Sequence, residues 1–367
     1  MTFIDLSYHP LPNADPENLL LDHRPNLGYL DHLPVDWKCV VIKFTGREGH
    51  SKQPRFDYYF FRGRKSKAWV PITADRFIAS LKPDMVMVHG LIFPHQLLAL
   101  RALLPRKSKI IVQHHAEKPG KGIKRRLQKI ANRFTSAYLF SNIELAQPWI
   151  DQGIIDKEKV FEVMEGSSDL RQISKASARE ALELNDGPMF LWVGRLDRNK
   201  DPETILKGFG KFLLSQPSAR LYMIYQTDDL LKEVSQIIRN SAALKNAVVL
   251  KGKIERSQLA YWYSAADYYV SGSHSEGSGY ALIEAMSCGC IPIVTSIPSF
   301  RKITDDGKAG FLFEPGNPDS FSETLLRMYS IPKDEIIQRV KRQFTNELSF
   351  EAIARQLVNA CARLHSK

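Results

Sequence analysis

Short apolar runs recur along the chain, each followed by a turn or by a segment of helical period. In the first half, Phe3-Ile-Asp-Leu-Ser7, Lys38-Cys-Val-Val-Ile-Lys-Phe44, Met85-Val-Met-Val-His89, Lys109-Ile-Ile-Val-Gln113 and Ala137-Tyr-Leu-Phe-Ser141 read as buried strands. Their apolar content is nearly continuous, as strands covered on both faces require. Helical patterns lie between several of them, for example Asp75 to Leu81 and His95 to Leu104. Such alternation predicts a parallel sheet with helices on both faces. The stretch Gly46 to Lys67 is charged and aromatic, fits this pattern less well, and reads as an irregular segment or an insertion.

The second half repeats the pattern. Met189-Phe-Leu-Trp-Val193, Leu221-Tyr-Met-Ile-Tyr225, Ala247-Val-Val-Leu250, Tyr268-Tyr-Val270, Ile291-Pro-Ile-Val-Thr295 and Phe311-Leu-Phe313 are predicted strands. Pro202 to Leu214, Gln258 to Ala266, Ser320 to Tyr329 and Phe350 to Leu364 are predicted helices, the first with proline near its start, where a missing N–H costs nothing. Serines and Asn185-Asp-Gly187 place a hinge between the halves. The expected division is 1–168, a linker at 169–188, a second domain at 189–345, and a terminal helix at 346–367 that packs back on the first domain. Two doubly wound halves that face each other would hold a ligand in the cleft between them.

At 367 residues the chain exceeds one typical core, which agrees with two domains. No basic segment opens an apolar leader in Met1-Thr-Phe-Ile-Asp5, and Leu91 to Leu104 is too short and polar to cross a bilayer. A cytoplasmic protein is the expectation. Cys39, Cys288, Cys290 and Cys361 lack metal or redox spacing and read as buried free thiols. Charge changes the picture more. Between Lys38 and Arg133 there are 22 lysines and arginines against 5 acids, so this stretch carries +17 of a net +11 and the rest is negative. Such a surface favours an anionic partner. A nucleic acid is not expected, because no binding motif accompanies the charge.

The densest chemistry lies in Ser273-His-Ser-Glu276-Gly-Ser-Gly-Tyr280-Ala-Leu-Ile-Glu284-Ala-Met-Ser-Cys-Gly289. Gly277 and Gly279 admit a ligand close to the backbone. A helix opening near Tyr280 offers unpaired N–H groups and a positive dipole end, which suits a pyrophosphate. Two carboxylates eight positions apart can accept hydrogen bonds from hydroxyls. Together these features read as a holder for a nucleoside diphosphate bearing a sugar.

With these motifs located, the chain resembles the family-4 retaining glycosyltransferases of the GT-B fold. The matching pieces are Val193-Gly-Arg195-Leu-Asp-Arg-Asn-Lys200-Asp, the Glu276-x7-Glu284 block, Gly289-Cys-Ile-Pro292-Ile-Val294, and Ala309-Gly310-Phe-Leu-Phe with Glu314-Pro-Gly and Asp319. The resemblance is strong from Phe190 to Phe321 and reaches the end of the chain. It is weaker from Lys82 to Val163 and poor before about Lys38. It implies an α/β architecture of two facing Rossmann-like doubly wound domains. It also implies transfer of a glycosyl unit from a nucleotide sugar to a hydroxyl acceptor, a glycan or lipid-linked glycan, with anomeric configuration kept.

On the family's pattern Arg195 and Lys200 bind the donor pyrophosphate, Glu276 meets hydroxyls of the transferred sugar, and Glu284 grips the ribose. Gly194, Gly277, Gly279, Tyr280 and Ala281 contribute backbone groups nearby, and Ser273 approaches the ligand. His115 sits at the reacting centre, with His114 as the alternative register, and His89 lines the acceptor side. No metal and no cofactor are implied, since the cations at 195 and 200 supply the charge and no Asp-x-Asp motif of the metal-dependent kind is present. Two departures stand out. His9-Pro-Leu-Pro-Asn-Ala14 lacks the family's Gly-Gly pair, and the hinge, commonly Asn-Gly, reads Glu165-Gly166.

Lys118 to Arg133 is basic and partly amphipathic, with Ile123, Leu127 and Ile130 on one helical face. Two readings stand: a peripheral contact with an anionic inner membrane face, or a surface helix whose apolar side packs on the sheet. The alternatives to a transferase are a non-catalytic sugar-nucleotide binder and another GT-B enzyme such as a nucleotide-sugar epimerase.

Overall fold

The computed structural model describes all residues except 16–18, 21, 22, 65, 67, 68, 185, 330, 366 and 367, together with the side chain of His365. Asn185 of the hinge signal therefore lies outside the described residues, as do Lys65 and Lys67 of the charged insertion. Two compact units account for the chain, 1–167 with 350–367, and 168–349.

The first unit is built on eight strands: β1 (Thr2–Leu11), β2 (Lys38–Thr45), β3 (Gly49–Lys52), β4 (Phe56–Arg62), β5 (Met85–His89), β6 (Lys109–Gln113), β7 (Ala137–Phe140) and β8 (Val160–Glu162), in spatial order β3-β4-β2-β1-β5-β6-β7-β8. All neighbours run parallel except β3 and β4. Every residue of β5 is buried, which is why it reads as an unbroken apolar run. The first halves of the sheet's chemistry end together. Ser7 of β1 pairs with His89 of β5, and His89 with Gln113 of β6, so the loops beyond them leave from one edge.

The stretch 46–67 departs from expectation. Residues 49–62 of it form a hairpin, β3 antiparallel to β4, and β4 joins β2 in parallel. Phe56, Tyr58 and Phe60 alternate inward along β4 while charged residues stand at the turn. That period-two pattern drives strand formation despite the local charge. The terminal helix Phe350–His365 belongs to this unit: Gln356 accepts from the backbone N–H of Met164 at 3.1 Å, and Cys361 Sγ lies 3.1 Å from Met85 Sδ.

The second unit has six parallel strands: β9 (Met189–Gly194), β10 (Arg220–Tyr225), β11 (Val248–Gly252), β12 (Tyr268–Ser271), β13 (Ile291–Thr295) and β14 (Phe311–Phe313), ordered β11-β10-β9-β12-β13-β14. Helix Pro202–Phe212 buries Ile205, Leu206, Phe209 and Phe212, and the rings of Phe209 and Phe212 meet Phe190 of β9 edge-on. Helix Lys175–Ala181 lies within the stretch marked as a hinge, and Ile173 donates its backbone N–H to Ser264 Oγ at 3.0 Å. Helices Leu231–Arg239 and Lys333–Gln343 also form, each with few buried residues. Among the described residues no helix is long and apolar enough to cross a membrane.

Candidate functional site

Strands β9 and β12 are neighbours, and each ends in a loop that carries part of the glycine-rich chemistry. The loops are tied together. The backbone N–H of His274 donates to Asn199 O at 2.8 Å, and Asn199 Nδ2 donates to Ser275 O at 3.0 Å. His274 Nε2 meets Asp201 Oδ2 at 3.0 Å. Asp201 also caps helix Pro202–Phe212 by accepting from the Thr204 N–H at 3.1 Å. These bonds bring Lys200 Nζ to 2.5 Å from Glu276 Oε1, both side chains largely but not fully shielded.

Arg195, beyond Gly194, keeps a 60% exposed side chain with Asp197 at 3.2 Å. Its guanidinium thus remains available to a ligand. Ser299 Oγ donates to the carbonyl of Glu276 at 3.0 Å and fixes that residue's backbone. Gly279 is the residue before helix Tyr280–Ser287 and takes φ of 61°, where a Cβ would stand 3.0 Å from Phe300 and 3.1 Å from Ile303. Left-handed backbone and crowding both demand glycine there. Gly277, Tyr280 and Ala281 are half-buried around this turn. Ser273 is fully buried, its Oγ 3.1 Å from Ser271 Oγ and its carbonyl accepting from Thr295 Oγ1. Its role in the protein alone is to anchor the loop.

Glu284 faces a different set. Tyr263 OH donates to it at 3.0 Å, and Arg256 Nη1 lies 3.4 Å away while Nη2 binds Asp169 at 2.7 Å. Burial raises the Glu284 carboxyl above its usual range, with Arg256 and Tyr263 opposing that rise. Thus Lys200 and Glu276 come together, while Glu284 has its own partners. Sequence inspection passed over Arg256, Tyr263 and Asp169, which come from separate segments and share no local motif.

The first unit gathers the histidines. His115 Nδ1 pairs with a carboxylate oxygen of Glu165, and His115 Nε2 lies 2.8 Å from His89 Nδ1. The other nitrogen of His89, Nε2, lies 3.0 Å from Asp5 Oδ2. Asp5 also accepts from Tyr29 OH at 2.8 Å and stands 3.4 Å from Lys43 Nζ. Burial would push the Asp5 carboxyl up, yet His89 and Lys43 hold it well below the usual carboxylate range.

His114 turns the other way, buried and stacked on Phe140 at 4.5 Å between ring centres, and burial lowers its basicity. The pair His89 and His115 borders a cavity of about 370 Å³ whose lining also includes Ser7, His9, Lys43 and Glu117. Glu117 accepts backbone N–H groups of Leu91 at 3.1 Å and His115 at 2.7 Å. A charged residue inside an apolar strand, as at Asp5 and Lys43, was the available signal for this cluster. Among the described residues no group of three or more His, Cys, Asp or Glu is spaced to hold a metal ion.

Residues 174–343 match the family model of the glycosyl transferases group 1. A D-inositol 3-phosphate glycosyltransferase from Streptosporangium roseum is 29% identical over 167 residues, 43% of this chain and 38% of that protein. One from Frankia alni is 28% identical over 170 residues, 43% and 40% of the respective chains. The matched segment therefore spans well under half the length of these curated relatives. Solved structures align throughout. A sucrose-phosphate synthase from Thermosynechococcus elongatus gives a TM-score of 0.72 at 16% identity, covering 100% of this chain and 99% of that one. HepE from Anabaena in complex with UDP gives 0.74 at 16% identity, covering 99% of each. The fold they share with this chain is GT-B.

Proposed function

We propose that this chain, a GT-B protein whose residues 174–343 match the group 1 glycosyltransferases, moves a glycosyl unit from a nucleoside-diphosphate sugar to a hydroxyl acceptor. The observation that carries the reading is the Lys200–Glu276 pair, held by tied loops at the ends of β9 and β12, with Arg195 open beside the same strand end. In the reaction the bond from the anomeric carbon to the diphosphate breaks and one to the acceptor oxygen forms. The acceptor proton passes to the leaving diphosphate oxygen, and attack from the same face keeps the configuration. Lys200 and Arg195 stabilise the charge that grows on the diphosphate, each worth about 1.5–3 kcal/mol as a charge-assisted hydrogen bond. No metal ion takes part in this reading.

Glu276 plays two parts. Without donor it aims Lys200; with donor it accepts from sugar hydroxyls. Glu284 meets the ribose from its Tyr263 and Arg256 setting. The HepE structures were solved with UDP and with UDP-glucose, which supports a uridine nucleotide sugar as the first donor to try. The test is sugar transfer from a panel of nucleotide sugars, with and without EDTA. The reading predicts a product that forms equally in EDTA and disappears in Glu276→Ala. A Glu276→Ala protein that still transfers sugar at the full rate would overturn it.

The acceptor is a glycan or lipid-linked glycan, and helix Gly122–Asn132 is the proposed contact with an anionic bilayer. Gln128 and Ala131 are its buried residues, so the apolar stripe does not pack on the sheet as a whole. Ile123, Ile130 and the following Phe134 stand 77%, 43% and 45% exposed among Lys121, Lys124, Arg126, Lys129 and Arg133. No acid occurs from 118 to 134. Apolar tips within a basic surface match a leaflet of anionic lipid.

A further inference from the structure

Four side chains stand in line: Asp5, His89, His115 and Glu165. His89 Nε2 lies 3.0 Å from Asp5 Oδ2 without the alignment of a hydrogen bond, and because a bare lone pair so close to a carboxylate would be repelled, it carries its hydrogen. His115 Nδ1 faces a carboxylate and carries its hydrogen too. The 2.8 Å gap between His89 Nδ1 and His115 Nε2 requires one further hydrogen, since two lone pairs at that distance repel. Two rings thus hold three N–H groups, one more than two neutral imidazoles have. One ring is a cation.

The environment decides which. Glu165 and Glu117 surround His115, and their charges outweigh its desolvation, so its basicity is raised. His89 is buried, and that burial, with Lys43 and His115 nearby, lowers its basicity against the pull of Asp5. The extra proton therefore resides on His115 Nε2 and is donated to His89 Nδ1. Among the described residues, Lys43, Tyr29 and His114, with His9 and His23 on the wall of the same cavity, are the other titratable groups nearby. Lys43 and Tyr29 both contact Asp5, the Lys43 charge opposes the glutamates at His115 without reversing the rise, and His114 contacts Glu117 at the far side of the turn.

We propose that Asp5, His89, His115 and Glu165 work as one proton-sharing line, in which Glu165 and His89 are positioning residues that hold His115 as a fixed cation and deny it the role of base. A carboxylate at position 165, where an amide is common in the resembled family, is what makes the count close. An amide there could orient the ring but could not balance its charge. The consequence for transfer rests on the glycosyltransferase reading; the protonation pattern does not.

Nitrogen-15 NMR of the ring nitrogens separates the two. Of the 10 histidines, the His115 and His89 signals are assigned with His115→Gln and His89→Gln. At pH 7.5 the wild-type protein should show His115 protonated on both nitrogens and His89 only on Nε2. In Glu165→Gln, His115 should become singly protonated, its titration falling by about one to three pH units. Glu165→Asp should restore part of the shift. The basic limb of the transfer rate against pH should fall with it, with kcat changing more than KM. A neutral His115 in the wild-type spectrum, or an unchanged His115 titration in Glu165→Gln, overturns the proposal. Should Glu165→Gln not fold, the wild-type spectrum decides alone. A correct spectrum with no transfer from any nucleotide sugar would tell against the transferase reading while leaving the shared proton intact.

Discussion

The loop pair of the second unit and the histidine line of the first handle charge in opposite ways. Lys200 and Glu276 are partly open, and Arg195 more so; on the proposed reading each exchanges its present partner for a ligand. Asp5 and His89 are enclosed, and every nitrogen of His89 and His115 already has a neighbour within the unit. Charges that must meet a ligand stay on tied loops at strand ends. Charges that set the state of another group sit in the sheet, where low dielectric strengthens their effect and leaves no freedom to exchange partners.

The sharpest way to break this contrast is Lys200→Met, which removes a cation from the open site and keeps much of its volume. Transfer should fall by about a hundred- to a thousandfold in kcat, the scale seen when a preorganised group is lost at a site of growing charge. The melting temperature should barely move. A large loss of stability instead would mean that Lys200 is structural.

Asp75 tests the buried type of charge by stability alone. It is fully buried, Tyr8 OH donates to its Oδ1 at 2.9 Å, and its Oδ2 has no hydrogen-bond partner among the described residues. Burial pushes its carboxyl up to about 7, against the Tyr8 hydrogen bond. An acid whose folded value is raised favours folding while protonated. Stability should therefore decline as pH rises from about 4, where the unfolded chain begins to ionise, and level off near 7. Asp75→Asn removes that decline. In urea denaturation it should add about 1–3 kcal/mol at pH 8 and little at pH 4. A constant difference across that range would refute the assignment.

Much of the open site was legible because its parts are local. A glycine turn, a helix start and a carboxylate lie within one short segment, and the strand ends that carry 194 and 271 follow from apolar runs. The loop tie from Asn199 to His274 and Ser275 was not legible, since it depends on β9 and β12 being neighbours. The histidine line draws on residues 5, 89, 115 and 165, and only the parallel register of β1 and β5 puts the first two within reach. The hairpin at 49–62 was hidden because charge at its turn masked an alternating strand. Within the basic segment 118–133, where the sequence left open whether the apolar side packs on the sheet or faces outward, a helix forms over Gly122–Asn132 with Gln128 and Ala131 turned inward and Ile123 and Ile130 exposed.

Two smaller effects sharpen the picture. Gly279→Ala should cost about 1–2 kcal/mol, from the left-handed backbone and from displacing Phe300, and should weaken donor binding more than acceptor binding. Equal stability in thermal melts would mean the turn relaxes freely. Ile123→Asp with Ile130→Asp should leave transfer to a soluble acceptor unchanged while reducing co-sedimentation with anionic vesicles. Undiminished sedimentation at low salt would end the membrane assignment.

The most direct measurement is the thermal shift of the wild-type protein and of Lys200→Met across UDP, GDP, ADP and their sugars, because bound ligand stabilises in proportion to occupancy. At least one nucleoside diphosphate should raise the wild-type melting temperature, and the same ligand should have little effect on Lys200→Met. A panel that leaves the wild type unmoved, or that moves both proteins equally, contradicts a donor held by the loops at 194–201 and 272–279.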